Sequence, residues 1–350
     1  MKILFLGLGG IGQRHLRNLR FLLGPDPDIV AYRVRRQMHV LTPDLRADSS
    51  RNIEEEYSIR VFHDLNEALA LNPNLAFICN PSNMHLLAAQ ACIRAGCDIF
   101  VEKPLSDSLD GAASLIRSAA DQKRVGMVGY QLRFHPCVRK MTDAIQSGIL
   151  GNLLAVRASI GENLTKWHPF EDYRQMYASR ADLGGGVVLS QIHEFDYLYS
   201  MFGLPDRIYA VGGRFSDLEI DVEDTASILM TFRVNGRPLP VHLHQDYLQW
   251  PPSRQCEVIG DRGRAIMDLR SLTVTIFEHD RDSPEVSSFA GFERNQLFLN
   301  ELNHFLECVK TRRKPIVDLK DGLQSLRMAL AAKESMATGL PVELTTSNGR

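Results

Sequence analysis

Short apolar segments alternate with helical patterns along the first third of the chain. The strand-like segments are KILFL, DIVAYR, RVFHD, LAFICN, DIFVEK and RVGMVGY, and MHLLAAQACIRAG and GAASLIRSAADQ between them have a helical spacing of apolar positions. Buried strands that alternate with helices are typical of βαβ units, whose parallel sheet is covered on both faces. The pattern predicts an α/β Rossmann domain with a parallel doubly wound sheet over residues 1–125.

The pattern changes after about residue 150. Strand-like segments such as LLAVRASI, TASILMTFRV and LTVTIF follow one another, separated by turn signals such as VNGRP and GDRG. Alternate residues of TASILMTFRV share one face: Ala226, Ile228, Met230, Phe232 and Val234. Helices are predicted at about 186–202, 295–310 and 319–338, and HDRDSPEVSS is predicted to be a loop. We expect a second, α+β domain with a largely antiparallel sheet over residues 126–344, followed by a disordered tail at 345–350.

Composition and charge narrow the class of protein. A chain of 350 residues fits two domains, and its 44% apolar and 23% charged residues are typical of a globular protein. The net charge of −2 argues against a nucleic-acid partner. No run approaches the roughly 20 apolar residues that span a bilayer, so no membrane association is expected. The segment MKILFLGLGG is interpreted as a buried strand rather than a signal peptide, which predicts a cytoplasmic protein.

The six cysteines are scattered and include no Cys-x-x-Cys pair. This spacing fits neither a zinc site nor a disulfide framework. We expect buried, reduced thiols.

The segment GLGGIG, residues 7–12, lies between the first predicted strand and a helical run. In that setting Gly7 permits a tight turn, Gly9 lets the backbone approach a pyrophosphate, and Gly12 lets helix and strand pack closely. Amides at the helix start, including those of Gly10 and Ile11, would face the phosphates. A chance glycine-rich turn is the alternative, but the surrounding βαβ pattern favours a dinucleotide site.

The end of the second strand is basic where an acidic residue normally binds the ribose 2′-hydroxyl of NAD. The segment IVAYRVRR places Arg33, Arg35 and Arg36 there. Arginine accommodates a 2′-phosphate through charge-assisted hydrogen bonds. NADP is therefore the expected cofactor, and NAD is the alternative. The arginines could also be solvated loop residues without a role in cofactor binding.

Polar residues stand at the carboxyl ends of three further strands, where ligands of such sheets bind. The predicted cofactor contacts there are Cys79, Asn80, Pro81, Glu102, Lys103 and Gln131. Pro104 restricts the backbone of Lys103 and fixes its direction. A lysine at this point can serve as a general acid or base, although most lysines are solvated surface residues.

The ordered motifs GLGGIG, CNPSNMH, VEKPLS, GYQLRFHP and LGGGVVLSQIHEFDYLYSMFG resemble those of the Gfo/Idh/MocA oxidoreductases over essentially the whole chain. This family includes glucose–fructose oxidoreductase and inositol dehydrogenases. The resemblance implies a Rossmann domain and a substrate-binding and oligomerisation domain with an open, mainly antiparallel sheet. It also implies NAD(P)-dependent hydride transfer at a secondary alcohol carbon of a sugar, sugar derivative or inositol. His85 of CNPSNMH joins the expected cofactor contacts.

The resemblance also implies catalytic roles. Lys103 would be the catalytic lysine and His193 would assist, so that either can take or return the hydroxyl proton. Many members have Asp one turn before this histidine, whereas this chain has Ser190, which could bind a substrate hydroxyl. Asp196 could orient His193 in place of that acid, or it could be an exposed side chain. Tyr197 stands where HExxH would need a second histidine, so no metal is expected.

The stretch TKWHPFEDYRQMYASRADLGGG looks like a subgroup found with bacterial surface-polysaccharide sugar genes. Aromatic faces and hydrogen-bond donors suit a sugar, although aromatic residues often only cover a core. The expected substrate contacts are Lys103, Arg133, Trp167, His168, Tyr173, Ser190 and His193. Further candidates are His135, Arg174, Tyr177, Arg180, Tyr247 and Arg254, whereas His242 and His244 are expected to share a strand face.

The expected partner is a small carbohydrate or polyol. An exposed sheet face in the second domain would suit a homo-oligomer, and the resemblance implies a dimer or tetramer. Two other functions remain open. One is an NAD-dependent glycoside hydrolase of the same superfamily, and the other is a non-enzymatic NADP(H)-binding sensor.

Overall fold

The structure, a computed structural model, describes residues 1–34, 39–42, 46–168 and 170–344. The strands up to residue 130 are β1 (Lys2–Leu6), β2 (Asp28–Tyr32), β3 (His39–Leu41), β4 (Ala47–Asn52), β5 (Arg60–Phe62), β6 (Leu75–Ile78), β7 (Asp98–Glu102) and β8 (Gly126–Gly129). The helices up to residue 150 are α1 (Gly10–Leu23), α2 (Ile53–Tyr57), α3 (Leu65–Leu69), α4 (His85–Arg94), α5 (Ala112–Asp121) and α6 (Pro136–Gln146).

Six of these strands form one parallel sheet in the order β5-β2-β1-β6-β7-β8, and β3 pairs with β4 separately. The order reverses between β1 and β6, which creates the crevice where a doubly wound sheet binds its ligand. The predicted parallel Rossmann sheet is confirmed.

The centre of this sheet is aromatic and completely buried. Phe77 stacks between Phe5 and Phe100, with ring centroids 5.0 and 5.4 Å apart. Phe305, from the far end of the chain, packs edge-on against Phe77 and Phe100. Because both faces of a parallel sheet need cover, a C-terminal helix supplies part of the first core.

The strands after residue 150 are β9 (Leu153–Gly161), β10 (Arg207–Gly213), β11 (Thr225–Val234), β12 (Arg237–Asp246), β13 (Ser253–Gly260), β14 (Gly263–Asp268), β15 (Thr273–Glu278), β16 (Glu285–Ser288) and β17 (Val342–Glu343). The helices there are α7 (Val187–Ser190), α8 (His193–Phe202), α9 (Arg294–Thr311) and α10 (Leu319–Thr338). Short 3-10 turns occupy Ser82–Met84, Gln131–Phe134, Leu164–Lys166, Tyr173–Gln175, Tyr177–Ser179 and Ala181–Leu183.

The second sheet has the order β16-β15-β14-β13-β9-β12-β11-β10-β17. Only the pairing of β12 with β9 is parallel among these described strands. The predicted α+β region with a mainly antiparallel sheet is confirmed. The alternation in β11 follows the prediction, since Ala226, Ile228, Met230 and Phe232 are buried and Val234 is half-buried.

The single helix predicted at 186–202 is wrong, because the chain leaves the helix at Gln191 and Ile192. The Ser190 carbonyl accepts a hydrogen bond from Lys103 Nζ at 2.7 Å, and the Gln191 carbonyl accepts one from Gln245 Nε2 at 2.7 Å. Two consecutive carbonyls are therefore bonded to side chains rather than to helix amides, which separates α7 from α8.

The loop predicted for HDRDSPEVSS is partly wrong, because its last four residues form β16. This edge strand pairs antiparallel with β15. Val286 is 59% exposed, so backbone pairing rather than burial forms the strand, and the sequence carries little apolar signal.

The C-terminal helices α9 and α10 return to the first sheet. Val128 of β8 donates its amide to the Val317 carbonyl, and Leu319 and Gly322 pack on β8. No helix in the described part of the chain is long and apolar enough to cross a membrane. The tail predicted at 345–350 lies outside the described residues.

Candidate active site

The glycine loop between β1 and α1 has three different steric environments. Gly7 has φ +94°, and a Cβ atom there would lie 2.9 Å from the backbone of Cys79 and Asn80. At Gly12 a Cβ would lie 2.4 Å from the Gly7 carbonyl oxygen. At Gly9, by contrast, a Cβ would meet nothing within 4 Å. The first and third glycines are required by the fold, while the second leaves space open above the loop.

This open space suits the pyrophosphate of a dinucleotide. Gly9 is the N-cap of α1 and contributes no side-chain cap, and no acidic residue stands in the first turn. The amides of Gly10, Ile11 and Gly12 are thus among the N–H groups at the helix start that an anion can accept from. Asn80 Oδ1 is buried without a hydrogen-bond partner among the described residues, on the loop that faces Gly7. The residues present fit an NAD(P) dinucleotide.

His85 connects the two loops that follow β6 and β7. Its Nδ1 lies 2.7 Å from the Pro104 carbonyl oxygen and its Nε2 lies 2.8 Å from the Asn80 carbonyl oxygen. Burial lowers the pKa of His85, so the ring is neutral at neutral pH and donates to one carbonyl at a time. His85 therefore positions loops that lie at the cofactor site. Pro81 begins the turn between them.

One predicted cofactor contact, Glu102, is occupied by other interactions. Glu102 Oε1 lies 2.6 Å from Nε2 of the fully buried His15, and Glu102 Oε2 accepts from the Lys103 amide at 3.2 Å. Burial raises the pKa of the Cys79 thiol well above its ordinary value, which keeps this side chain an uncharged thiol. Gln131 is half-buried at the start of the turn after β8.

Lys103, at the end of β7, contacts Ser190 at the end of α7, and His193 begins α8 three residues later. The peptide bond between Lys103 and Pro104 is cis, and Lys103 Nζ donates to the Ser190 carbonyl at 2.7 Å. Ser190 and His193 are 4% and 5% exposed. His193 Nδ1 is buried without a hydrogen-bond partner among the described residues, whereas Ser190 Oγ interacts with the hydroxyl of the buried Tyr247. Buried polar atoms are usually paired, so the unpartnered His193 nitrogen marks a place for a ligand.

Burial lowers the pKa of His193 well below its ordinary value of 6.5, and the positive charge of Lys103 adds to this effect. The imidazole is therefore neutral at neutral pH and can accept a proton. Its ring packs edge-on against Tyr130, with centroids 5.7 Å apart, and this contact fixes its orientation.

Asp196 does not orient His193, contrary to the expected alternative. Its carboxylate accepts two hydrogen bonds from Arg133, at 2.6 and 2.8 Å, and a third from Ser325 Oγ. Asp196 is completely buried rather than exposed. Arg133 was an expected substrate contact, but this bidentate ion pair holds its guanidinium inside the protein.

Arg254 is held in the same way by Glu194. The two hydrogen bonds measure 2.7 and 3.0 Å, and the Glu194 side chain is completely buried. Tyr247 is also buried and donates its hydroxyl to the Ala178 carbonyl at 3.3 Å. Both further substrate candidates therefore belong to the internal framework of the site.

The aromatic stretch divides into two groups. Trp167 packs edge-on against Tyr247 at 5.3 Å, and its Nε1 is buried without a partner in the described part of the chain. His168, in contrast, lies 2.7 Å from Glu171, and the Tyr173 hydroxyl accepts from the Glu219 amide at 3.3 Å. Trp167 points inward, whereas the contacts of His168 and Tyr173 are with neighbouring loop residues.

The other polar candidates make local pairs. Arg174 binds Asp172 and Glu219, and Arg180 binds Asp182. His242 and His244 lie on one face of β12, as expected. No cluster of three His, Cys, Asp or Glu residues that could hold a metal ion occurs in the described ranges.

Arg33 follows β2 directly. Its side chain is buried, and its carbonyl oxygen lies 2.8 Å from His63 Nδ1. Burial lowers the pKa of the Arg33 guanidinium, and the charge of the nearby Glu54 offsets only part of this decrease. Arg35 lies outside the described residues.

A separate cavity of about 520 Å³ opens beside the turn at residues 184–186. Its lining includes Asp107, Arg214, Asp221, Glu223 and Lys333, and none of the predicted site residues. Ligands of doubly wound sheets bind outside the carboxyl ends of the strands, so the candidate active site is the strand-end region around Lys103 rather than this cavity.

Several residues of the site gave no signal in the sequence. His15 reaches Glu102 from α1, and Gln245 reaches Gln191 from β12. These contacts join residues 87 and 54 positions apart, respectively. Only the packing of α1 and the register of β12 bring them together.

The fold and the glycine cradle define a two-domain oxidoreductase with an NAD-binding Rossmann domain. Residues 1–130 match the family model GFO_IDH_MocA, "Oxidoreductase family, NAD-binding Rossmann fold". Residues 142–344 match its companion, "Oxidoreductase family, C-terminal alpha/beta domain". The chain belongs to this oxidoreductase family, which confirms the predicted resemblance and the predicted enzyme class.

Named relatives cover nearly the whole chain. It is 27% identical to the myo-inositol 2-dehydrogenase of Thermotoga maritima, covering 98% of both chains. It is 22% identical to the D-xylose 1-dehydrogenase [NADP(+)] of Haloarcula marismortui, covering 86% of this chain and 82% of the relative. The solved myo-inositol 2-dehydrogenase of Lactobacillus plantarum shares the fold with a TM-score of 0.78, at 19% identity and with 99% of both chains covered.

Proposed function

We propose that the protein transfers hydride between NADP and a secondary alcohol carbon of a sugar, sugar derivative or polyol. The observation that carries this proposal is the hydrogen bond from Lys103, at the end of β7, to the Ser190 carbonyl, three residues before the buried His193. Relatives named as inositol and xylose dehydrogenases support the substrate class. When bound, the dinucleotide supplies the nicotinamide carbon that gains or loses the hydride.

The side chains around the site divide the proton chemistry between them. Lys103 uses one N–H on the Ser190 carbonyl, and its remaining N–H groups can donate to the substrate hydroxyl oxygen and orient it. The neutral His193 ring accepts the hydroxyl proton as hydride leaves the carbon, and returns it in the reverse direction. Ser190 Oγ, buried beside the Tyr247 hydroxyl, binds a second substrate hydroxyl.

Trp167 supplies an apolar face for the sugar ring in this proposal. Its partly buried ring stands against Tyr247, and its indole N–H, which has no partner among the described residues, can donate to a substrate oxygen. Arg133 and Asp196 act from behind the site and hold the turn after β8 against α8.

Substitution of Lys103 tests the catalytic assignment. We expect Lys103→Ala to lower kcat by about 100-fold or more, because removal of one preorganised donor to the reacting oxygen typically costs roughly 10²–10³. The Kd of the dinucleotide should change less than about threefold. The measurement is NADPH absorbance during turnover of a panel that includes myo-inositol and D-xylose.

Lys310→Ala is the matched control, because Lys310 is an exposed lysine on α9. Its kcat should equal that of the parent protein. Undiminished turnover by Lys103→Ala would refute the assignment, and a parent protein that binds dinucleotide but oxidises no member of the panel would refute the proposed function.

The preference for NADP rests on the basic end of β2. Arg33 follows the strand, Arg35 and Arg36 come next in sequence, and no carboxylate stands among residues 33–36 to accept from a ribose 2′-hydroxyl. We expect NADP to bind at least tenfold more tightly than NAD in calorimetric titrations. Equal affinity, or tighter binding of NAD, would overturn this preference.

A further inference from the structure

Two of the six cysteines lie at the turn that joins α4 to β7. All six are among the described residues and are buried free thiols, as the sequence predicts. Cys92 is in the last turn of α4, and Cys97 directly precedes β7. Both side chains are completely buried. The proposed hydride transfer uses neither of these thiols.

The backbone of this turn brings Cys92 and Cys97 together. The Gly96 amide donates to the Ile93 carbonyl at 2.9 Å, and the Cys97 amide donates to the Cys92 carbonyl at 3.0 Å. Gly96 has φ +84°. This is a Schellman motif, in which the side chains at the two ends of the longer hydrogen bond commonly touch. With standard bond lengths, this hydrogen bond keeps the two Cα atoms within about 7 Å, and disulfides need roughly 4.4–6.8 Å.

The two thiol groups are also bonded to each other. The Cys92 thiol donates a hydrogen bond to the Cys97 sulfur. Cys97 Sγ in turn donates to the Pro73 carbonyl oxygen at 3.3 Å. The Schellman motif and the hydrogen bond between the thiols are separate observations, and both place the two sulfur atoms side by side.

A guanidinium group lies over the same turn. A Cβ atom at Gly96 would lie 3.6 Å from Arg124 Nη2, and Arg124 Nε is buried without a hydrogen-bond partner among the described residues. The hydrogen bond from Cys92 lowers the pKa of Cys97, and the positive charge of Arg124 adds to this effect, whereas burial and Asp98 oppose it. Cys97 is therefore the thiol of the pair that ionises more easily and acts as the nucleophile.

The residues beside the pair reach the surface. Arg94 and Ala95 are exposed, and Gly96 is half-buried. Helix ends open locally at a low cost in free energy. A small oxidant can therefore reach Cys97 while the parallel sheet stays folded.

We infer that Cys92 and Cys97 form a reversible redox site, which a hydroperoxide oxidises to a disulfide. The Cys97 thiolate attacks one peroxide oxygen, the O–O bond breaks, and Cys97 becomes a sulfenic acid. The Cys92 sulfur then attacks the Cys97 sulfur, so that the S–S bond forms, the S–O bond breaks and the Cys92 proton leaves with water. The two thiols lose two electrons, which the peroxide takes up, and a dithiol reductant reverses the change.

The disulfide would join the far ends of two elements that reach the candidate active site. α4 begins at His85, and β7 ends immediately before Lys103. Because the native turn already holds the two cysteines at disulfide distance, the bond restricts the unfolded chain far more than the folded one. Oxidation should therefore raise the Tm.

The test treats the full-length native protein with hydrogen peroxide, blocks the remaining thiols under denaturing conditions and digests the chain with trypsin. Cleavage after Arg94 separates the two cysteines, so the disulfide would join peptides 61–94 and 95–117. Fragmentation in the mass spectrometer distinguishes Cys92 from Cys79, which lies in the same peptide. We expect these linked peptides, their separation by dithiothreitol, and a higher Tm after oxidation.

Three serine variants assign the two roles. Cys97→Ser should yield neither the linked peptides nor a sulfenic acid at this turn, which dimedone would label. Cys92→Ser should lose the linked peptides and keep the sulfenic acid on Cys97, because no second thiol condenses with it. Cys308→Ser is the matched control, since Cys308 is a buried free thiol on α9, and it should keep both the linked peptides and the rise in Tm.

The inference is wrong if six free thiols remain after peroxide treatment of the native protein, or if the linked peptides form only in urea. A Tm that falls on oxidation would also overturn it, because the native turn would then not accommodate the disulfide. The proposed dehydrogenase function is tested separately, by turnover of the reduced protein. Its failure would leave the redox site intact, and absence of the disulfide would leave the proposed function intact.

Discussion

Glycine serves three physical purposes within six residues of the loop between β1 and α1. Gly7 adopts a left-handed φ, Gly12 lies against the Gly7 carbonyl, and Gly9 has an extended φ of −73° with open space at its Cβ position. Any L-residue can adopt that last conformation. The fold therefore tolerates a side chain at Gly9, whereas a bound pyrophosphate would not.

This difference predicts separable effects of two substitutions. Gly9→Ala should leave the Tm within about 2 °C of the parent value and weaken dinucleotide binding at least tenfold, because the methyl group occupies the pyrophosphate position. Gly12→Ala should lower the Tm clearly, since its Cβ would lie 2.4 Å from a backbone oxygen. Calorimetry and thermal unfolding measure the two effects.

Gly291→Ala is the control for Gly9→Ala, because a Cβ at Gly291 also meets nothing within 4 Å. It should change neither the Tm nor the dinucleotide affinity. Unchanged dinucleotide affinity in Gly9→Ala would contradict the assignment of this glycine loop as the pyrophosphate-binding site.

Residue types and spacing predicted the glycine cradle, and the resemblance to the family implied that Lys103 and His193 act at one site. They could not predict the partners of the buried charges. Asp196 stands three residues after His193, which made an interaction on one helix face plausible, yet its carboxylate binds Arg133 from another element. Ion-pair partners depend on how α8 docks, which local sequence does not encode.

At the scale of elements, α9 carries an unusual buried acid. Glu301 is completely buried, and both carboxyl oxygens lack hydrogen-bond partners among the described residues. Burial, reinforced by the negative charges of Glu102 and Asp196, raises its pKa well above 4.5. In the folded protein Glu301 is therefore held in its neutral form.

This raised pKa predicts a pH-dependent cost in stability. The unfolded chain ionises Glu301 above about pH 4.5, whereas the folded chain does so only at higher pH, so stability is present at low pH and falls as the pH rises toward the folded pKa. Glu301→Gln should therefore stabilise the protein at pH 8 by at least about 1.4 kcal/mol, the equivalent of one pKa unit. The gain should be smaller at pH 5.

Urea unfolding at both pH values provides the measurement. Glu307→Gln, an exposed acid on the same helix, should show no such difference between the two pH values. An equal gain at pH 5 and pH 8, or a loss at pH 8, would contradict the assignment of Glu301 as a buried neutral acid.

Sequence patterns predicted strands and helices correctly where burial of one face makes apolar residues recur at a regular spacing. They failed where no such spacing is imposed. β11 shows the alternation because one face lies in the core. The break between α7 and α8 depends on hydrogen bonds from Lys103 and Gln245 to successive carbonyls, which no periodicity reveals. β16 forms by edge pairing with mostly polar residues.

At the scale of the whole molecule, one face of the second sheet exposes apolar side chains. Tyr209 and Leu229 are directly opposite each other on β10 and β11, at 38% and 55% exposure, and Val211 is 56% exposed. Exposed apolar patches on sheets commonly mark association surfaces. We therefore still expect a homo-oligomer formed through this face.

Leu229→Lys should reduce the mass of the particle measured by light scattering, because a charge at the centre of an apolar contact is costly to bury. Phe21→Lys, which changes a 77% exposed side chain on α1, is the control and should leave the mass unchanged. A monomeric parent protein, or an unaltered mass in Leu229→Lys, would contradict this expectation.

The hydrogen bond from Lys103 to the Ser190 carbonyl has a consequence for how such enzymes diversify. The amine comes from the first sheet, and its acceptor is a backbone atom of the second domain. A main-chain carbonyl is offered by every amino acid, so position 190 can change its side chain without releasing the lysine. Another residue can thus replace Ser190 and change the substrate preference, while the hydrogen bond that holds the Lys103 amine is kept.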